Sequence, residues 1–483
     1  MKNLSEKEFA MDPRSKPGVG RDAAGTRWSR RDLLRMGGVA AAGLAAPGLA
    51  ACGGSGGGGG ASGQDVELQF MFWGSSYEQK AIGEMLKQFG QHHKGVTAKP
   101  IYVPGDYETK VNTLVASGRT PDVAYMGGAM GYRLAEEGKL VNLYPYFKKY
   151  PDLADRLSGT YFWYGKDKTF GTQTANEVML TWYNKQVLGD AGVEEPPADA
   201  SKAWSWDTMV ENAYKLTHDQ SGKRPDQAGF NPKQVRQFGV STSVQYIPAW
   251  ECFLRSNGTD FADKAGTKCL LDTPPAIEVF QNLQDLMYKH RVAPTPVQLG
   301  NNAPATNVQL QTKRIAMVID GQWILLDMAQ SHLDFGIGVL PSYHQPSTTA
   351  VGGASVVFSS TKHLDDALDL YMFHNDPKYV ELFKNGLWMP MEKKYYLDPR
   401  SVDSWTKNDV HPPEYDTAVV DYTVKYATTS FGQRLKNMDK ISEVLTPALQ
   451  QIEGGKHSAK EVLTTVTPKI DKLLQGWYPT QEA

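Results

Sequence analysis

Over residues 66–126 the apolar residues change period four times, from strand to helix and back, and this restricts the possible folds more than anything else in the chain. Residues 66–73 (VELQFMFW) have strand composition, and Ile82, Met85, Leu86 and Phe89 recur at helical spacing. Residues 96–103 read as a second strand. Val111, Leu114 and Val115 then form a helical stripe closed by Ser117-Gly118, and residues 121–126 form a third strand running into Gly127-Gly128. A β-α-β-α-β order implies a largely parallel sheet covered by helices, with ligands held beyond the carboxyl ends of the strands. Those ends are Trp73-Gly74-Ser75-Ser76-Tyr77 and Tyr125-Met126-Gly127-Gly128. Glycine there either lets the backbone approach a ligand or closes a tight turn.

A second α/β region begins at about Val178. It has helical patterns at 205–216, 250–255 and 277–290, a buried-type strand at 314–321, short strands at 336–340 and 355–358, and an amphipathic helix carrying Val462, Val466, Ile470 and Leu473. With 483 residues, 41% of them hydrophobic, the chain has apolar mass for two cores. The formal charge of -2, with both signs interspersed, offers no phosphate-tracking surface and argues against a nucleic-acid partner.

Ahead of the body, the pair Arg30-Arg31 precedes an apolar run at 36–51, rich in Ala and Gly and too short to span a bilayer. The segment resembles a twin-arginine export signal. Leu49-Ala50-Ala51-Cys52 resembles a lipoprotein cleavage box, whose small residues admit the peptidase and whose sulfur takes the diacylglycerol. Residues 1–51 are therefore expected to be the signal, with Cys52 the lipidated start of the mature chain and 52–64 a Gly/Ser tether. Cys252 and Cys269, 17 positions apart, either form a disulfide in an exported body or stay as two buried thiols. No C-x-x-C or H-E-x-x-H spacing calls for a metal, and no cofactor is expected.

Several short features recur in a family order: Tyr107-x-x-Lys110, Ser117 to Val123, Leu134-Ala135-Glu136-Glu137-Gly138-Lys139-Leu140, Tyr183-Asn184-Lys185, Trp204-Ser205-Trp206-Asp207, Lys313 to Met317 leading to Gly321-Gln322-Trp323, and Gly352-Gly353. In this the chain resembles the extracellular solute-binding proteins of ABC importers, the sugar-binding family that includes maltose-binding protein. The resemblance implies a two-lobed periplasmic-binding-protein-like fold of type II, two α/β lobes joined by crossing strands near Glu177, Pro341 and Asn385. One lobe would comprise 65–177 and 341–385, the other 178–340 and 386–476. It further implies a monomer held at the outer face of the membrane by its lipid, delivering a small-molecule sugar to an ABC permease, with no catalysis.

A sugar offers apolar C–H faces and a hydroxyl rim, so its site needs flat aromatic platforms and a few planar polar groups. Of the 11 Trp, all but Trp28 lie in the body. Trp323, just after a strand and Gly321, is where the resemblance places a stacking ring; otherwise it packs in a core. Trp73, Tyr77, Tyr125, Gly128, Tyr246, Trp250, Gly353 and Trp388 are further candidates, and Asn176 and Glu177 at the first crossing could bridge hydroxyls. Ser75, Ser76, Ala129 and Met130 stand where maltose-binding protein carries charged residues, so maltodextrin specificity does not transfer. The rival expectations are the same fold holding a polyamine, peptide or phosphorylated polyol, and an exported glycosidase with two carboxylates facing across a cleft.

Overall fold

The computed structural model describes residues 65–300, 303–385 and 387–480, so the expected signal, Cys52 and the tether lie outside the described residues. In chain order the strands are β1 (Val66–Phe72), β2 (Val96–Tyr102), β3 (Val123–Met126), β4 (Tyr161–Gly165), β5 (Lys168–Gln173), β6 (Glu177–Asn184) and β7 (His218–Asp219). They continue with β8 (Val235–Ser241), β9 (Ile315–Gly321), β10 (Phe335–Gly338), β11 (Thr348–Val351), β12 (Ala354–Val357) and β13 (Ala427–Thr429). Two sheets result. One runs β2-β1-β3-β12-β5-β4, and the other runs β13-β11-β6-β9-β8-β7 with β10 on β6. β1 is parallel to β2 and β3, as the strand-helix alternation requires, while β12 enters antiparallel to β3 and β5. This is the two-lobed α/β architecture of type II binding proteins.

Local chemistry builds the first lobe. In β1, Leu68, Phe70 and Phe72 point into one core and Met71 into another, so helices cover both faces. The first helix, α1 (Ser76–His92), is started by a capping box: the Glu78 N–H donates to Ser75 Oγ at 3.3 Å and the Ser75 N–H to Glu78 Oε2 at 2.7 Å. Its buried stripe is Ala81, Ile82, Met85, Leu86 and Phe89. Each of the larger side chains contributes roughly 1.5–3 kcal/mol by leaving water. Asp122 ties β3 to its surroundings, accepting from the Gln69 N–H at 2.8 Å and from Thr361 Oγ1 at 2.6 Å.

The chain first passes between sheets at Thr174–Asn176, between the end of β5 and the start of β6. The second passage falls later than Pro341. β10 and β11 still pair with β6, and the chain reaches the first sheet only at Ala354. Gly352 and Gly353 make that passage possible, because a Cβ on Gly352 would sit 2.5 Å from the Ala175 carbonyl and one on Gly353 would strike the Trp73 ring. The chain also leaves the first lobe later than Asn385. The Leu157 N–H donates to the Met391 carbonyl at 2.8 Å, and the buried Glu392 pairs with the buried Arg156 at 3.8 Å.

The second lobe packs Trp206, Phe253, Phe280, Leu283, Ile441 and Leu463 against β6 and β9. Cys252 and Cys269 are both buried and free, which overturns the disulfide. The Cys252 thiol donates to the Pro248 carbonyl at 3.0 Å, while Cys269 approaches Thr467 Oγ1 at 4.0 Å, so each sulfur has a separate setting.

Candidate functional site

The carboxyl ends of β1 and β9 and the start of β6 gather the groups that can meet a ligand. Trp73 follows β1. It is half-buried, its ring meeting Tyr107 edge-on at 4.8 Å and Tyr125 at 5.2 Å, and it covers Gly353. Trp323 follows β9 and is also half-buried. A Cβ on Gly321 would fall inside its ring, and Tyr246 meets it edge-on at 5.8 Å. Strand register brings β6, which Glu177 opens, beside the segments that lead to both rings. Glu177 pairs with Val351, two residues before Gly353, and Met179 pairs with Gly321. Tyr246 is 38% exposed, leaving its ring open to the gap. Beside it lies a cavity of about 230 Å³ whose lining includes Ser241, Tyr246, Thr306 and Asp320.

Four carboxylates share this region. Asp320 accepts from Thr306 Oγ1 at 2.8 Å and from the Gly321 N–H at 2.8 Å. Burial nevertheless raises its carboxyl above the usual range, and those bonds, with one from the Trp323 side chain, only partly offset it. Burial raises Asp327 as well. Glu78, from the first lobe, is raised by burial first and then by the charge of Asp327, from the second. Burial, reinforced by Glu78, holds Glu177 well above the carboxylate range.

The sequence candidates divide. Trp73 covers Gly353 and Trp323 meets Tyr246, while Glu177 opens the strand that pairs with the segments leading to both. Trp250 does not: it is fully buried among Phe280 at 5.0 Å, Phe431 at 5.5 Å and Phe261 at 6.5 Å, a core residue of the helix Ile247–Ser256. Trp388 is 3% exposed and packs on Phe383, His374 and Tyr125, so it too is core. Tyr125 is 2% exposed and supports Trp73 from behind, although its buried hydroxyl has no hydrogen-bond partner. Asn176 is buried and bridges to Met389 through its backbone, joining the two segments. Gly128 gives room to Gln433, whose Cα would lie 3.4 Å from an added Cβ. The Tyr77 hydroxyl is taken up by Asn385 at 2.5 Å and Glu381 at 3.5 Å.

Glu78, Asp320 and Asp327 were not among the sequence candidates. Ser75-x-x-Glu78 is a capping-box spacing and could have marked Glu78. Asp320 directly precedes the glycine at the end of a strand. Asp327 carries no local signal, because its role depends on the opposite lobe.

Comparison with known proteins agrees with this architecture. The model of a family described as bacterial extracellular solute-binding protein matches residues 84–412. The sn-glycerol-3-phosphate-binding periplasmic protein UgpB of Brucella abortus is 26% identical over 407 residues, covering 79% of this chain and 87% of that protein. Its counterpart in Rhizobium meliloti is 24% identical over 422 residues, covering 82% and 91%. Among solved structures, an ABC substrate-binding protein of Listeria monocytogenes in complex with cycloalternan superposes with a TM-score of 0.72 at 21% identity, covering 84% of this chain and 98% of that one. A maltose-bound MalE3 of T. maritima gives 0.68 at 19% identity, covering 85% and 100%.

Proposed function

The chain belongs to the bacterial extracellular solute-binding proteins, the receptors of ABC importers, and from that membership we propose that it captures a carbohydrate between its lobes for delivery to the permease. What supports the carbohydrate reading is a pair of half-buried tryptophans at strand ends, Trp73 against Gly353 and Trp323 against Gly321, on segments whose strands pair with the one Glu177 opens. Indole faces match the C–H faces of a sugar ring, and a carboxylate between them accepts hydroxyl protons. Binding that favours the closed arrangement of the lobes shifts a pre-existing equilibrium, which lets a permease distinguish loaded from empty receptor. The role is capture without catalysis. In the cell the protein is a monomer exported by the twin-arginine route and anchored through Cys52.

A phosphorylated polyol is the second reading, favoured by the sn-glycerol-3-phosphate named for the curated relatives. Against it, a phosphate entering beside Glu177 would press that already raised carboxyl still further from its charged form. Titrating the mature protein, with tryptophan fluorescence as readout, against mono- and oligosaccharides, glycerol 3-phosphate and a polyamine separates these. A saturable response to a sugar is expected. Response only to the phosphate or the polyamine would overturn the carbohydrate reading.

A further inference from the structure

We infer that the carbohydrate taken by this receptor carries an N-acetyl group, and that a side chamber of the second lobe, formed by Thr242, Gln309 and an apolar wall, receives it; the inference rests on the carbohydrate reading above. The chamber is the cavity of about 230 Å³ beside Tyr246. β8 and β9 run parallel, with Ser241 paired to Val318, and the residues at their carboxyl ends, Ser241, Thr242 and Asp320, line it together. Beyond such strand ends is where parallel sheets hold ligands. Tyr246 belongs to the same lining and meets the Trp323 ring edge-on at 5.8 Å, which sets the chamber beside the proposed platform.

The groups left open in this lining decide what it takes. Thr242 Oγ1 and Gln309 Oε1 are buried atoms with no hydrogen-bond partner among the described residues. Gln309 is held by its other amide atom, Nε2 donating to the Pro304 carbonyl at 2.6 Å. A buried polar atom left unpaired costs more than a typical hydrogen bond contributes, so the fold keeps this pair at a cost that a ligand can remove. The two carboxylates of the lining are already engaged, Asp320 by Thr306 Oγ1 and the Gly321 N–H, each at 2.8 Å, and Glu453 by Ser243 Oγ at 3.5 Å and the Gln245 side-chain amide. Among the described residues no Lys, Arg or His lines the chamber, so a phosphate or carboxylate substituent would enter without a counter-charge. Most of the remaining wall is apolar, with Met287, Pro294, Leu299 and Ile319. An acetamido group complements all three parts. Its N–H donates to Gln309 Oε1, its carbonyl accepts from the Thr242 hydroxyl, and its methyl leaves water against the apolar wall. A bare hydroxyl or ammonium in its place would leave the apolar wall unfilled, and a ring methyl would leave both polar atoms unpaired.

Calorimetry of the mature protein with matched sugars tests this: N-acetylglucosamine, N-acetylgalactosamine and N-acetylmannosamine against the parent hexoses and the free amino sugars, and diacetylchitobiose against cellobiose. The preferred acetylated sugar is expected to bind at least about tenfold tighter than its parent and its free amine. Thr242→Val and Gln309→Leu remove the open polar atoms at similar side-chain volume. Each should weaken the acetylated sugar by about tenfold while changing the parent sugar's affinity by less than about twofold. The two positions lie on separate segments, so the second variant carries the comparison should the first melt early. A parent, amino or other unacetylated sugar bound as tightly as any acetylated one, or an equal loss for both members in a variant that melts normally, overturns the N-acetyl assignment while the carbohydrate reading stands. If no sugar binds, the carbohydrate reading falls and takes the inference with it.

Discussion

Trp323 is half-buried over Gly321 with one edge on Tyr246 and packs at the margin of both cores, so cutting it to Ala removes a flat apolar face without emptying the interior of either. Trp323→Ala should weaken sugar binding by roughly 1–3 kcal/mol, about tenfold to a hundredfold, with a ligand-free melting temperature close to that of the parent. Trp250→Ala is the contrast: emptying a fully buried site among three phenylalanines should cost roughly 3–5 kcal/mol of folding stability. Thermal melts and titrations of the two variants separate a platform from a core ring, and a large melt penalty in Trp323→Ala would place it in the core. The sequence offers little to tell these tryptophans apart. Trp250, Phe253 and Leu254 lie together in one helix, and which turns of it are covered depends on Phe280 and Phe431 from distant segments. Trp323 was more legible because it follows a strand that ends in glycine, where a ring has nowhere to go but over the sheet end. The raised carboxyls of Glu78 and Asp327 were largely illegible, since the burial that raises them comes from the folded surroundings.

Elements with strict periodicity could be read directly. The β1, α1, β2 and β3 order follows from apolar spacing, and the buried face of α1 is the one that spacing dictates. The passage at Gly352-Gly353 lies later than the crossing near Pro341 that the resemblance implied, because the glycines are needed for clearance against Ala175 and Trp73, which no local pattern shows. The helix Ile247–Ser256 carries a further consequence that periodicity hides. Its Glu251 is fully buried, accepting from Ser430 Oγ at 3.1 Å and the Phe431 N–H at 3.2 Å, with Arg255 at 3.8 Å. Burial, partly countered by Arg255, pushes its carboxyl up to about 7. The folded protein therefore holds this proton more tightly than the unfolded chain. The resulting stability is fully present below the unfolded carboxylate range near 4.3 and is lost as pH rises through about 7. The ligand-free melting temperature should fall between about pH 4 and 7, with Glu251 contributing on the order of 1–3 kcal/mol to the change. Glu251→Gln should flatten the profile by a few degrees. An unchanged slope would mean that Glu251 does not titrate in this window.

The lobes are tied at more than the crossings. Gln433, beyond β13, donates to the Gly352 carbonyl at 2.6 Å and accepts from Gln173 at 3.3 Å. Tyr478, near the carboxyl end, stacks on Tyr132 of the first lobe at 3.7 Å and donates to Glu136 at 3.0 Å. Such contacts join residues far apart in the chain, which is why no local pattern announced them. The proposed anchor at Cys52 sets where this assembly works: Cys52→Ala should move the protein from the membrane fraction to the soluble fraction, and retention in the membrane with the amino terminus intact would refute lipidation. Cys252 and Cys269, each buried beside a threonine and unpaired, give that topology a chemical logic. A fold that forms no covalent cross-link between these two thiols needs no oxidant to hold them, which accords with the twin-arginine export proposed above.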